Sequence, residues 1–482
     1  MISGKKELKV AVIGSGPSAF GVCSKLLECH NLKIDVFDIG FRSQPQSQKN
    51  KSVYNSKSAN GFFYPYGIND TTSPVELISK RACSSHAYGG YGSVYSGASL
   101  PAKRSDLYNW LDDAIPSLSD YQDILSHTNL LKEEDALSER WHFDDEFDGN
   151  HVSLIGFSQI ITGANSGYQL KPFNPGSFFD LAIHHGKINY LDNVYVTSLE
   201  SNSKGVKIHY SSLDSVFVSS LYDSVFVAAG CINSTGIVHR SVYPDIAAEY
   251  LVKMTGGFVQ GFFGNGPSES EALNLRRENN LPEIFLEIRD EAFKGFWSNT
   301  QITALNSHVI ETMLPFLPST LHQYFRKKIN KFYLALSAVH SSLSPKMKLI
   351  VDRHSKNSRF GSILLEEQTM PYEQSQRMAV RKAVNTHKDY LNLTHLPYSE
   401  FLGNLLRRNR LGGWHFGGTL PVTEYDMNTI TCKPNAEVRH LPKVFVCDSS
   451  TFNSIPATTV ALLTMANATR IARVWLENKG LT

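Results

Sequence analysis

Several features that commonly identify a class of protein are missing from this sequence. It has no apolar signal core before its first predicted strand, and no apolar run of the roughly 18 residues that a membrane-spanning helix needs. The formal net charge of +2 is too small to indicate binding to nucleic acid or to an acidic membrane surface. We therefore predict a soluble, cytoplasmic protein with no nucleic-acid partner, and we do not expect it to associate with membranes.

Cysteine is scarce as well. The six cysteines among 482 residues include no CxxC pair, which excludes the commonest zinc and disulfide patterns. Several of them lie in apolar segments, so we expect free, buried thiols and no metal site. The content of 41% hydrophobic and 19% charged residues is typical of a globular protein, and the length allows two or three domains.

The most informative stretch lies near the beginning of the chain. The apolar run Val10–Ile13 is typical of a buried parallel strand. A turn of the G-x-G-x-x-G/A type follows, in which the first glycine permits a tight turn and the second lets the backbone approach a pyrophosphate. The next helix then offers unpaired N–H groups to phosphates, and Ala19 and Gly21 are expected to let it pack closely on the strand. The candidate ligand-binding residues of this turn are Gly14, Gly16, Pro17, Ser18 and Ala19.

A carboxylate follows the second predicted strand. Asp38 ends the segment Val36-Phe37-Asp38, and its spacing from the glycine turn suits an acid that binds a ribose hydroxyl. The glycine turn, its strand context and this acid together predict a dinucleotide site, for either NAD or FAD. An ordinary strand-to-helix turn is the alternative.

Three later stretches also stand out. Tyr88–Pro101 has four glycines among serines and tyrosines, which indicates backbone brought close to a flat or charged group. Leu411–Pro421 places His415 between two glycine pairs. Lys443–Asp448 is predicted to be the last strand, and Val460–Glu477 a long helix preceded by cap-type residues.

The remaining patterns predict a second, antiparallel body of structure. Ser224–Gly230 is expected to return the chain to the parallel sheet, and residues 187–210 to form strands and a hairpin. Three segments alternate like half-buried antiparallel strands: Glu283–Arg289, Lys346–Asp352 and Phe360–Glu366. Helices are predicted over Asp106–Ile115, His308–His340 and Met378–Leu391.

In this order along the chain, the motifs resemble the glucose–methanol–choline oxidoreductases, with a closer likeness to the shorter bacterial members that oxidise sugars or alcohols. The matching segments are residues 10–21, GGYGSVYSG at 89–97, VAAGCINS at 227–234, HFGGTLP at 415–421 and the C-terminal block from FVCDSSTFNSIPATT onward. The resemblance implies an α/β fold with a Rossmann-like FAD-binding domain and an α+β substrate domain built on an antiparallel sheet. The FAD-binding domain would comprise residues 1–110, 185–240 and 405–482, and the substrate domain residues 111–184 and 241–404.

The resemblance also implies where FAD would lie. Gly14, Gly16 and Asp38 would hold its ADP part, and the backbone at Val196 would meet the adenine. The glycine stretch of Tyr88–Pro101, which we call the glycine clamp, would contact the pyrophosphate and the flavin. The C-terminal turn would contact the ribityl chain and the flavin, and the strand end near 229 would add a further contact. These further cofactor-binding residues are Gly90, Gly92, Ser93, Ala229, Asp448, Ser449, Thr458, Thr459 and Val460. Members that attach FAD covalently have a histidine where this chain has Val94, so we predict a dissociable flavin.

The implied reaction is oxidation of a secondary alcohol of a sugar or polyol. His415, at the family's matching position, would accept the hydroxyl proton while a hydride passes to flavin N5, and an imidazole has a suitable pKa for this role. A structural turn histidine is the alternative for this residue. The family's second histidine or asparagine is replaced by Thr459, which is a weaker partner for an alcohol oxygen, and Asn453 is a candidate to compensate.

Two other functions remain open at this point. The Thr459 substitution leaves room for a flavoprotein of the same fold with a different reaction, such as cyclisation or amine oxidation. A binding protein with a decayed site is the other alternative, although the glycine stretches are all intact. The sequence predicts a small-molecule alcohol or sugar as substrate but identifies neither the particular compound nor the electron acceptor.

Overall fold

The structure of the protein is a computed structural model, which describes most of the chain. The described residues are 7–40, 76–79, 84–93, 100–126, 151–153, 158–163, 167–212, 215–264, 284–304, 331–344, 346–353, 360–367, 374–376, 378–379, 381, 393–395 and 415–481. The strands are β1 (Leu8–Ile13), β2 (Leu32–Phe37), β3 (Glu76–Ser79), β4 (His151–Ser153), β5 (Ser158–Gly163), β6 (Gly167–Pro172), β7 (Asn189–Leu191), β8 (Tyr195–Asn202), β9 (Gly205–Ser212), β10 (Ser215–Val218), β11 (Ser224–Val227), β12 (Ala248–Met254), β13 (Gly256–Gly264), β14 (Ile284–Arg289), β15 (Trp297–Ala304), β16 (Phe332–Val339), β17 (Lys346–Asp352), β18 (Ser362–Glu367), β19 (Leu393–His395), β20 (Phe416–Gly417) and β21 (Val444–Val446).

The helices are fewer and lie mainly beside the parallel sheet. They are α1 (Pro17–Leu26), α2 (Leu118–Ser126), α3 (Pro175–His184), α4 (Cys231–Val242) and α5 (Val460–Asn478). Short 3₁₀ turns occupy Gly90–Ser93, Arg104–Leu107, Asp112–Ala114, Glu291–Phe293, Ser341–Leu343 and Ser449–Thr451.

A five-stranded parallel sheet with the order β21-β11-β1-β2-β7 forms the centre of the nucleotide-binding half. Strand β11 is buried along its whole length and β1 is buried over Val10–Ile13, as expected when helices cover both faces. Helix α1 lies against α5 so closely that a Cβ atom on Gly21 would be 2.4 Å from the carbonyl oxygen of Met465. Gly21 therefore permits helix-on-helix packing, and not the helix-on-strand packing that the sequence suggested.

Two antiparallel sheets form the second body. One has the order β20-β12-β17-β18-β3, with β3 added in parallel to β18, and the other has the order β19-β13-β16-β15-β14-β4. The chain passes from the first sheet to the second at Thr255, between β12 and β13. One hydrophobic core joins the parallel sheet to β12, β17 and β18, and a separate core lies on one face of the six-stranded sheet. The described structure thus confirms a mixed α/β fold with parallel and antiparallel sheets.

The predicted strands are confirmed in the described parts of the chain, but two predicted helices are wrong there. Residues 106–115 form parts of two 3₁₀ turns and extended chain, because the Asp106 carbonyl accepts hydrogen bonds from His340 and Ser454. The C-terminal part of the predicted helix His308–His340 is strand β16, and residues 308–330 lie outside the described residues. Most of the predicted helix Met378–Leu391 also lies outside them.

Five of the six cysteines lie in the described residues, and all five are free thiols. Burial raises the pKa of the Cys231 thiol to about 12, so that side chain is unreactive at neutral pH. Among the described helices, none is both long enough and apolar enough to cross a membrane.

Candidate functional site

The glycine turns that the sequence singled out meet at one edge of the parallel sheet. Strands β1, β11 and β21 run in the same direction, so their carboxyl ends lie side by side. Gly14 follows β1, Gly230 comes three residues after β11, and Asp448 comes two residues after β21. Ligands of open α/β sheets bind outside this edge, so the topology locates a candidate site there.

The first turn is tight and allows a second loop to approach it. Gly14 has a φ of 108°, and a Cβ atom at this position would lie 2.5 Å from the carbonyl oxygen of Ala228. A Cβ atom on Gly90, which has a φ of 56°, would lie 3.0 Å from the Cα atom of Gly16. Two segments that are far apart in the sequence therefore meet backbone to backbone, and only glycine permits this contact.

The glycine clamp is held by packing and by its own hydrogen bonds. Ser93 Oγ donates a hydrogen bond of 2.8 Å to the carbonyl oxygen of Gly90. A Cβ atom on Gly92 would contact the rings of Pro175 and Pro17, at 2.6 and 3.2 Å. The structure thus brings the predicted residues Gly92 and Ser93 next to Pro17, which begins helix α1.

Asp38 lies directly after β2 in a buried hydrogen-bond network. Its Oδ2 atom accepts hydrogen bonds of 2.6 Å from both Ser15 Oγ and Tyr190 Oη. Ser15 Oγ in turn accepts a 2.8 Å hydrogen bond from the Gly89 amide, so Ser15 connects the first turn, the clamp and the acid. Burial raises the pKa of the Asp38 carboxyl, while the Ser15 and Tyr190 hydrogen bonds oppose this shift.

Sequence reasoning missed both Ser15 and Tyr190. Tyr190 lies in β7, which pairs in parallel with β2 at the edge of the sheet. The sequence predicted a strand there but gave no indication of its partner, since the two strands are widely separated along the chain. Ser15 is one of the variable positions of the glycine motif, where the pattern carries no information.

The Asp448 carboxylate connects the turns that follow strands β11 and β21. Its two carboxylate oxygens accept four hydrogen bonds, and its side chain is buried. The donors are the Gly230 amide, the Ser234 hydroxyl, and the amide and hydroxyl of Ser450. Because the carboxylate is fully used inside the protein, a ligand at this turn would meet the backbone and not the Asp448 side chain. Ala229, the residue before Gly230, donates its amide hydrogen to Ser234 Oγ at 3.1 Å.

His415 lies immediately before β20, where that strand joins the junction of the two antiparallel sheets. Its carbonyl oxygen accepts a 3.0 Å hydrogen bond from the Thr255 amide. Gly417, two residues on and therefore on the same face, has its Cα so close to the C-terminal turn that a Cβ atom would be 2.2 Å from the Ser449 carbonyl oxygen. Ser449 Oγ also donates a 2.8 Å hydrogen bond to the Phe416 carbonyl. Because side chains alternate between the two faces of a strand, the His415 imidazole is expected on the face that meets this turn.

The protonation state of the His415 imidazole follows from its surroundings. It makes no hydrogen bond to any of the described residues, and burial lowers the pKa of His415 to about 4. The side chain still has partial solvent exposure. A histidine in this state is neutral at physiological pH and has a free nitrogen lone pair.

The residues before helix α5 are partly engaged in other contacts. Thr459 Oγ1 accepts a 3.0 Å hydrogen bond from the Leu100 amide, and its hydroxyl hydrogen remains available to a further acceptor. The amide nitrogen of Asn453 donates to the carbonyl oxygens of Asn109 and Val422 and so fixes the loop, whereas its amide oxygen has no hydrogen bond to the described residues. The compensating role of Asn453 stays a prediction.

Three helix N-termini lie near the edge without a side-chain cap. Helices α1, α4 and α5 begin after Gly16, Gly230 and Thr459, and none of these residues caps its helix through its side chain. Thr458 Oγ1 beside α5 is buried with no hydrogen-bond partner among the described residues. Uncapped N–H groups and positive helix ends favour phosphates and other anionic groups. The donors present therefore fit a long ligand that carries phosphates at α1 and accepts hydrogen bonds at α5.

The remaining predicted cofactor positions differ in their burial. Val460 is the first residue of α5 and is partly exposed, whereas Ser18 and Ala19 are buried in the first turn of α1. Val196 is buried in β8, next to an irregularity in its pairing with β9. Val94 lies outside the described residues, so the structure does not bear on how a flavin would be attached.

The fold can now be compared with those of known proteins. It is a mixed α/β fold in which a parallel sheet with glycine turns at its carboxyl edge adjoins a large antiparallel body. Pyridoxine 4-oxidase from Mesorbium loti has the same overall fold: the match has a TM-score of 0.62 and 12% sequence identity, and it covers 98% of this chain and 99% of that one. No family model and no curated protein matches the sequence. At this identity the likeness establishes a shared fold over essentially the whole chain.

Proposed function

We propose that this protein is an FAD-dependent oxidoreductase of the glucose–methanol–choline type that oxidises a secondary alcohol of a sugar or polyol. The observation that carries the proposal is His415: a neutral imidazole without a hydrogen bond to the described residues, on the strand face that meets the C-terminal turn. The glycine clamp, the uncapped helix ends and the fold shared with an oxidase supply its setting.

The chain offers a contact for each part of FAD. The amides of α1 and the clamp at Gly90 would hold the pyrophosphate, while Asp38, oriented by Ser15 and Tyr190, would bind the adenosine ribose. The α5 N-terminus and the unpartnered hydroxyl of Thr458 would face the flavin. A helix N-terminus stabilises negative charge, which is what reduction of the flavin produces at its pyrimidine edge. We expect non-covalent attachment.

His415 would act as the general base. Its imidazole nitrogen accepts the proton of the substrate hydroxyl as the carbinol C–H bond breaks and the C=O bond forms. Bound FAD supplies the acceptor for the hydride at N5. The Thr459 hydroxyl, at the start of α5, would donate a hydrogen bond to the same substrate oxygen, a role that the family usually gives to a histidine or asparagine.

The visible spectrum of the protein reconstituted with FAD tests this proposal. We expect a yellow holoprotein that is bleached anaerobically by at least one member of a panel of sugars and polyols. His415→Ala should bind FAD but lose bleaching by a factor of about 10²–10⁴. His184→Ala, which removes an exposed histidine from α3, serves as the matched control and should react like the wild type. A protein that takes up no FAD would contradict the proposal, and so would a His415→Ala variant that is bleached at the wild-type rate.

A further inference from the structure

One row of residues crosses the six-stranded sheet on the face opposite to its hydrophobic core. Strand register places Gly257 of β13 beside Ala338 of β16, Ala338 beside Asn299 of β15, and Asn299 beside Glu287 of β14. The core on the other face is made by residues that alternate with these, such as Ile288 and Ile302. The four residues of the row, which we call the Asn299 row, therefore share one surface.

The Asn299 row faces the candidate site. Phe285, on the same face as Glu287, packs against Leu100, whose amide is hydrogen-bonded to Thr459 at the start of α5. At the other end of the row, Gly257 comes two residues after Thr255, which is hydrogen-bonded to the His415 carbonyl. The row thus extends between contacts of the two predicted catalytic positions.

Asn299 is the exceptional member of this row. Its side chain is 2% exposed, and neither its amide nitrogen nor its amide oxygen has a hydrogen-bond partner in the described structure. Leaving a buried amide unsatisfied costs on the order of 1–3 kcal/mol, so such a group in a folded protein needs an explanation. Its neighbours in the row toward Thr255 are only a methyl group and a glycine, and both are partly exposed. They place little side-chain volume beside the amide.

The charge of the row limits the kind of ligand. The Glu287 carboxylate is already paired with Lys103 Nζ at 2.9 Å, and Asn299 carries no charge. No described charge in the row is therefore left to balance a charged ligand group. An amide donates through its nitrogen and accepts through its oxygen, and a hydroxyl group can satisfy both.

We propose that the Asn299 row is a polar subsite of the substrate pocket, in which the Asn299 amide binds a second hydroxyl of a neutral, polyhydroxylated substrate. This inference rests on the proposed function. Two strand spacings of about 4.8 Å separate Asn299 from the Gly257 end of the row, so the bound compound spans on the order of 10 Å. A monosaccharide or a linear polyol of similar length fits this description.

Substitution of Asn299 by leucine provides the test, with Thr300→Val as the matched control. Thr300 is the next residue of β15 and points into the opposite core, where its hydroxyl is hydrogen-bonded to Ser337 at 2.7 Å. Removing an unsatisfied amide should leave the melting temperature of the protein without substrate unchanged or raise it, whereas Thr300→Val should lower it. An Asn299→Leu variant destabilised as much as Thr300→Val would show that Asn299 has a structural role and would overturn the proposal.

Binding is measured with sorbitol, glucose and 1-phenylethanol, through the half-saturating concentration for anaerobic bleaching and through ligand-induced shifts in melting temperature. Loss of one or two hydrogen bonds predicts a response to sorbitol or glucose that is about 5- to 150-fold weaker in Asn299→Leu. The response to 1-phenylethanol, which has a single, secondary hydroxyl, should change less than twofold. Equal effects on all three compounds, or none on any, would contradict the subsite.

Failure of the proposed function gives a different pattern. A wild-type protein that is never bleached contradicts alcohol oxidation, but the thermal shifts still decide the subsite. Sorbitol or glucose should stabilise the wild type and have no effect on Asn299→Leu. If none of the three compounds shifts the wild-type melting temperature, the subsite is overturned as well.

Discussion

Asp106 is a buried carboxyl group whose surroundings favour its neutral form. Its side chain is 1% exposed, Oδ1 accepts a single 3.2 Å hydrogen bond from the Trp297 amide, and Oδ2 has no partner among the described residues. Burial, and to a lesser degree the nearby Glu287 carboxylate, raise the pKa of Asp106 from 3.8 to about 7. Substitution by asparagine should therefore stabilise the protein more at high pH than at low pH.

The sign and size of this pH-dependent effect on stability follow from the difference between the pKa values of Asp106 in the folded and unfolded states. The folded state binds the proton more tightly than the unfolded state, so this group's contribution to stability is fully present below pH 3.8 and is lost as the pH rises to 7. At about 1.4 kcal/mol per pKa unit, the penalty is about 1.5 kcal/mol at pH 5 and about 4 kcal/mol at pH 8. Asp106→Asn removes this penalty, so its effect on the free energy of unfolding should differ by about 2–3 kcal/mol between the two pH values.

Urea unfolding of wild type and variant at pH 5 and pH 8 measures this difference. The new amide hydrogens have no partner either, but that cost is the same at both pH values and cancels. Asp113→Asn, which removes an exposed carboxylate from the next 3₁₀ turn, is the control and should show no such difference. The reasoning is refuted if the effect of Asp106→Asn on the free energy of unfolding varies between pH 5 and pH 8 no more than that of Asp113→Asn.

Three further predictions concern the cofactor and the base. Gly90→Ala should weaken FAD binding at least tenfold, because the new methyl group would press on Gly16. Gly186→Ala is the control, since Gly186 has a similar φ of 66° but nothing within 4 Å of an added Cβ atom, and it should not weaken binding. Fluorescence titration with FAD measures both affinities. Thr458→Val should weaken FAD binding without lowering the melting temperature of the FAD-free protein, since the hydroxyl it removes is buried and unpartnered among the described residues; a lower melting temperature would indicate a structural role. The rate of flavin reduction should stay constant as the pH is lowered to about 5, because the pKa of His415 is about 4. A rate that decreases on acidification with an apparent pKa near 6.5 would contradict this lowered pKa.

The elements that sequence reasoning predicted correctly are those with local signals. The strand, glycine turn and helix of residues 8–26 are read from consecutive positions, and β21 and α5 are similarly clear. The glycines of Tyr88–Pro101 predicted close backbone contact, but not that Gly90 would approach Gly16. For residues 8–26, β21 and α5 the local pattern and the final fold agree.

The residues that it missed depend on contacts between distant segments. Tyr190 reaches Asp38 only because β7 joins the sheet beside β2. Asp106 leaves the predicted helix because its carbonyl bonds to His340 and Ser454, which both lie far along the chain from it. Asn299 became informative only when strand register showed what surrounds it. No local pattern encodes these pairings.

The most direct test of the central claim is the rate of anaerobic flavin bleaching with a polyol deuterated at its carbinol carbons. If hydride leaves that carbon for FAD while His415 takes the hydroxyl proton, the deuterated compound should bleach the holoenzyme more slowly than the ordinary one, with the matching ketone as product. A product of unchanged oxidation state, or a flavin that no alcohol reduces, would contradict the assignment of alcohol oxidation.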